Sequence, residues 1–78
     1  MARIKEFFET HQNAQPHPTE VECGYQGVDT PHGRLLQLST YGSDDRQSHK
    51  KVSQTLQLSR EQAATLLKII KETFPDLR

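Results

Sequence analysis

Asp44, Asp45 and His49 are this chain's nearest approach to an acid–base set, since a carboxylate that orients an imidazole makes a general base. They follow Gly42 and Ser43, however, which is turn composition. No nucleophile motif, phosphate-cradling glycine loop or paired buried carboxylate accompanies them, so no catalytic residue and no enzymatic activity are expected. His11, His17, Cys23, His32 and His49 are scattered without zinc-ligand spacing, and neither a metal nor another cofactor is expected. A more coherent chemistry comes from Arg34, Arg46, Lys50 and Lys51 as cations, Gln37 and Gln57 as amides, and Tyr41 as an aromatic ring. Cations neutralise phosphates, a carboxamide offers a donor and an acceptor to a base edge or sugar, and a ring stacks on an unpaired base. These seven residues form the expected nucleic-acid-binding set.

The elements that must position them are readable from periodicity. Val21, Cys23 and Tyr25 alternate with Glu20, Glu22 and Gly24, the pattern of a strand with one buried face, which also turns Tyr25 inward. Asp29-Thr-Pro-His-Gly33 supplies turn chemistry and predicts a hairpin. Along Arg34 to Tyr41, Leu36, Leu38 and Thr40 fall on one face, and Leu35, Gln37, Ser39 and Tyr41 on the other. Gly42 to Asp45 ends that strand, and the basic run RQSHKK follows. Val52 to Leu58 alternates again, with Val52, Leu56 and Leu58 inward, Ser53, Thr55 and Gln57 outward, and Gln54 an exception on the inner side.

Ser59 before Arg60-Glu61-Gln62 reads as an N-cap, and Ala63, Leu66, Leu67, Ile70 and Phe74 form an apolar helical stripe that Pro75 ends. At the other terminus, Ile4, Phe7, Phe8 and His11 recur with helical spacing and predict a short amphipathic helix over residues 3–11. The segment QNAQPHPT then reads as an extended linker. The expected fold is a single α+β domain over residues 1–78. Residues 1–19 hold the N-terminal helix and the proline-containing linker. Residues 20–78 hold a ββα core, a three-stranded antiparallel meander with the long C-terminal helix packed on one sheet face. The opposite face should be rich in amides and hydroxyls, from Glu20, Glu22 and Gln26 through Gln37, Ser39 and Tyr41 to Ser53, Thr55 and Gln57.

Composition narrows the function classes. Ten Lys and Arg balance ten Asp and Glu, which argues against a strongly basic duplex-DNA binder and against an acidic DNA mimic. The charge is uneven: Glu6, Glu9, Glu20, Glu22 and Asp29 outweigh Arg3 and Lys5 early on, whereas Arg34, Arg46, Lys50 and Lys51 outweigh Asp44 and Asp45 in the middle. One cysteine in 78 residues excludes an internal disulfide framework, and no apolar run is long enough for a bilayer span, so a cytoplasmic location away from membranes is expected. Only 32% of the residues are hydrophobic, a thin supply for a core, which makes a homodimer the expected assembly.

The stretch from Gly33 to Ile70, GRLLQLSTY, a polar loop, KKVSQTLQLSREQ and ATLLKII, resembles the single-stranded-DNA-binding transcriptional coactivators of the positive-cofactor-four family. That resemblance implies a dimer gripping unpaired DNA on its sheet and a role in transcription regulation. It covers about half the chain and has departures. Gln54-Thr55 stands where the family has a Lys-Gly pair, Ala63 where an aromatic often opens the helix, one strand precedes Arg34 instead of two or more, and residues 4–11 have no counterpart. The expected function is a small non-enzymatic regulator that binds single-stranded DNA or RNA. The alternative is a protein-interaction module, an adaptor, inhibitor or small regulatory subunit, engaging its partner through Phe7 and Phe8 without nucleic acid.

Overall fold

The computed structural model describes residues 1–42 and 51–78. Strand β2 (Cys23–Thr30) and strand β3 (Gly33–Tyr41) form the expected hairpin, paired from Cys23 opposite Thr40 to Thr30 opposite Gly33. The turn closes on Pro31 and His32. Thr30 Oγ1 donates to the Gly33 carbonyl at 2.6 Å and accepts from the His32 N–H at 3.2 Å. Gly33 takes φ +129°, a backbone state that residues bearing a Cβ rarely adopt.

Strand β4 (Val52–Leu58) pairs antiparallel with β3, which completes the meander. A fourth strand was not expected. β1 (Ala2–Arg3) pairs parallel with β4, Ala2 opposite Leu56 and Arg3 opposite Gln57, and gives the order β1-β4-β3-β2. The predicted helix over residues 3–11 is absent, and residues 4–22 form neither helix nor strand. A helix of that length is marginal unless docked, whereas the free edge of β4 offers hydrogen bonds at once: the Ile4 N–H donates to the Gln57 carbonyl at 2.9 Å. Phe8 is exposed and Phe7 half-buried. The chain between β1 and β2 must therefore travel from one edge of the sheet to the other.

Helix α1 (Arg60–Thr73) begins where the cap motif places it. Ser59 is extended, with ψ 168°, and its hydroxyl accepts from the Gln62 N–H at 3.3 Å. Glu61 in the first turn and Lys71 in the last complement the helix dipole. Phe74 caps the C-terminus ahead of Pro75.

Pairing partners share a face, so the register defines two surfaces. The apolar face carries Tyr25, Leu38 and Leu56 in one row and Gly27, Leu36 and Leu58 in the next. α1 contacts β3 and β4 but not β2, which leaves the β2 half of that face uncovered. Leu58 is 2% exposed and is the buried hydrophobic residue among those described. Val21, Cys23 and Tyr25 were expected on a buried face, yet all three are exposed, Tyr25 at 80%. Alternation orients them correctly, but the helix does not extend over them.

Candidate nucleic-acid interface

On the opposite face the register lines up side chains drawn from all four strands. Gln26 on β2 faces Gln37 on β3, Gln37 faces Gln57 on β4, and Gln57 faces Arg3 on β1. Three carboxamides in a row end at a guanidinium. Gln57 Nε2 donates to Gln37 Oε1 at 2.9 Å, which ties the two central amides together. That bond uses one donor and one acceptor; the Gln37 amino group and the Gln57 carbonyl oxygen keep hydrogen-bonding capacity of the kind that reads a base edge.

The next row is smaller. Gly24, Ser39 and Thr55 stand in register, and the Ser39 and Thr55 hydroxyls meet at 3.0 Å, both buried. Satisfying each other removes the penalty of two buried polar groups. Tyr41 then leans over Gly24, where an added Cβ would meet ring atom Cε2 at 3.1 Å, closer than ordinary van der Waals contact. A glycine at this position lets the ring settle towards the β2 backbone. The ring is half-buried. Gly24, Gln26, Gln37, Ser39, Tyr41 and Thr55 line a shallow hollow of about 520 Å³ together with Met1, Tyr25 and Val52.

A β-bulge shapes the Tyr41 end. Thr40 pairs with Gln54 but Tyr41 pairs with Val52, so Ser53 is left as the extra residue. Bulges re-aim side chains and occur near functional sites. This one overturns the expectation for Val52, which lines the polar hollow instead of facing inward. The Gly42 N–H donates to the Lys51 carbonyl at 3.1 Å, which carries the β3–β4 pairing one step past the bulge.

Of the expected set, Gln37, Gln57 and Tyr41 come together on this face. Lys51 stands exposed beside Val52 at the Tyr41 end. Arg46 and Lys50, like Asp44, Asp45 and His49, lie outside the described residues. Arg34 does not join them. It shares parity with Leu36 and Leu38, lies across Gly27 on the apolar face, and pairs with Asp29 at 3.6 Å with both side chains exposed. The cation that sequence reasoning missed is Arg3, hidden by the expectation of an N-terminal helix.

Arg3 also belongs to a second concavity. An open groove of about 1170 Å³ near the start of α1 is lined by Arg3, Lys5, Arg34, His32 and Arg60, among others. Four positive side chains from three segments, Arg3 and Lys5, Arg34, and Arg60, thus line a groove shared with Tyr25, Gly27, Leu36 and Leu58 of the apolar face. Among the described residues no group of three or more His, Cys, Asp and Glu could hold a metal ion, and no helix is long and apolar enough to cross a membrane. No family model, curated protein or solved structure matches this chain.

Proposed function

We propose that the protein is a small non-enzymatic regulator that binds single-stranded nucleic acid on the polar face of its sheet. The observation that carries this reading is the in-register row Gln26, Gln37, Gln57 and Arg3, with Tyr41 on the same face. Amides that keep donors and acceptors suit base edges and sugars, and the ring suits stacking on an unpaired base. Arg3 at the end of the amide row and Lys51 at the Tyr41 end suit a phosphate backbone crossing between them.

Fluorescence anisotropy with short unpaired DNA and RNA oligonucleotides at low and moderate salt tests the proposal. Binding should weaken steeply with salt, and Tyr41→Ala should reduce affinity by roughly 5- to 150-fold, the equivalent of about 1 to 3 kcal/mol of stacking. No binding at low salt would refute it. The competing reading, a protein-interaction module, draws on the exposed Phe8 in a segment without regular structure. An interface centred there would be nearly indifferent to salt and to Tyr41→Ala, and would be lost with Phe8→Ala.

A further inference from the structure

The two edges of the sheet end differently. At one edge β1 covers part of β4, whereas at the other β2 pairs with β3 alone among the described residues. The Glu22 carbonyl accepts from the Tyr41 N–H at 3.0 Å, which carries the β2–β3 ladder one position before Cys23. Opposed residues of an antiparallel pair exchange bonds at every second position, so Gly24, Gln26 and Val28 turn their backbone groups to β3, and Tyr25, Gly27 and Asp29 turn theirs outward. Exposed edges are usually blunted by a proline, a lysine, a bulge or a short strand. β2 has none of these: it runs eight residues in unbroken register, and Asp29 is its one charged residue.

The ground beside this edge is mostly of one sign. The groove that reaches β2 at Tyr25 and Gly27 is lined by Arg3, Lys5, Arg34 and Arg60 against one carboxylate, Glu61. Arg34 extends from β3 across Gly27, which has no side chain to stop it, and so points its guanidinium towards the open edge. Its partner Asp29 is 83% exposed, and so open an ion pair exchanges readily for another carboxylate. Tyr25 adds an uncovered ring on the same face.

We propose that β2 takes up an extended acidic peptide as a fifth strand, with a carboxylate of the peptide on Arg34 and an apolar side chain beside Tyr25. Main-chain hydrogen bonds along the edge supply affinity, and alternate side chains supply selection. Residues two apart on the added strand share a face, so those beside Tyr25 and Gly27 fall together on the apolar side. Charge complementarity makes the partner acidic. The edge and the groove lie apart from the amide row, so this inference does not rest on the nucleic-acid reading.

The probe is a fluorescein-labelled eight-residue peptide, blocked at both ends, with Thr at odd positions and Val, Glu, Glu and Val at even ones. Titrated with the full chain at low salt, it should bind, and its counterpart with Lys in place of Glu should bind roughly 10-fold more weakly or worse. Methylating the backbone nitrogens of one parity removes the donors that face β2 and should abolish binding, whereas the other parity should be tolerated. Arg34→Glu should weaken binding by roughly 10-fold or more, and Asp29→Asn, which removes the competing carboxylate, should tighten it. The proposal is overturned by an acidic peptide that does not bind, by equal binding of the Lys peptide, or by loss of binding whichever parity is methylated. It is also overturned if unpaired DNA displaces the peptide and responds alike to Arg34→Glu, which assigns the groove to a phosphate backbone. A chain that light scattering finds at twice 9.0 kDa and that excludes the peptide assigns the edge to a second copy and overturns it as well.

Discussion

The two faces of one sheet solve the same problem in opposite ways. On the polar face, small and amide side chains satisfy each other laterally, Ser39 with Thr55 and Gln57 with Gln37, and among the described residues no helix is packed on it. On the apolar face Leu36, Leu38, Leu56 and Leu58 have no such recourse and depend on an element laid over them. Only the β3 and β4 side of that face meets α1. The difference teaches that the thin core is a matter of coverage as well as composition: α1 meets the strands that carry the leucines, and the β2 part of the face, with Tyr25, lacks a lid.

Breaking this contrast starts with Leu58. Leu58→Ala removes the buried hydrophobic residue on which the covered half-face centres and should cost about 2 to 5 kcal/mol in urea unfolding; a loss below about 1 kcal/mol would show that this half-face does not hold the fold. On the polar face, Ser39→Ala strands the Thr55 hydroxyl in a buried site and should cost about 1 to 3 kcal/mol, whereas replacing both residues with apolar ones, Ser39→Ala with Thr55→Val, should recover most of the loss. If the double replacement is worse than the single one, the hydroxyl pair is not self-contained. A finer test of the polar face is Arg3→Gln. It should leave stability nearly unchanged and lower the slope of log affinity for single-stranded DNA against log salt by about 0.7, the share of one lost phosphate contact. Smallest of all should be Asp29→Asn, because an exposed ion pair contributes only about 0 to 1 kcal/mol, and thermal unfolding should barely register it.

Much of the fold is legible in local pattern. Alternation of Leu36 and Leu38 with Gln37 and Ser39 marks β3 and sorts its faces, and it already assigns Arg34 to the side of Leu36 and Leu38, away from Gln37. The Ser59 cap and the apolar stripe behind it mark α1 within a residue of its start. The N-terminal segment misleads because Ile4, Phe7 and Phe8 mimic a helical period in a stretch too short to hold a helix by itself. Its actual partner, β4, lies more than fifty positions away, and two residues of strand carry no signal of their own. The bulge at Ser53 escapes for a similar reason: alternation assumes an unbroken register, and one extra residue sends Val52 to the other face.

The candidate site divides along the same line. Gln37, Gln57 and Tyr41 are assigned to one surface by period-two parity alone, since a strand's side chains alternate whatever lies around it. That Gln26, Gln37, Gln57 and Arg3 form one row is a product of register between strands distant in sequence. That Tyr25 stands open while Leu58 is buried depends on where α1 leaves the sheet. Local sterics and hydrogen bonding decide which way a residue points, and the chain states that by itself. What it meets there is decided by long-range pairing and coverage, which no stretch of this sequence carries alone.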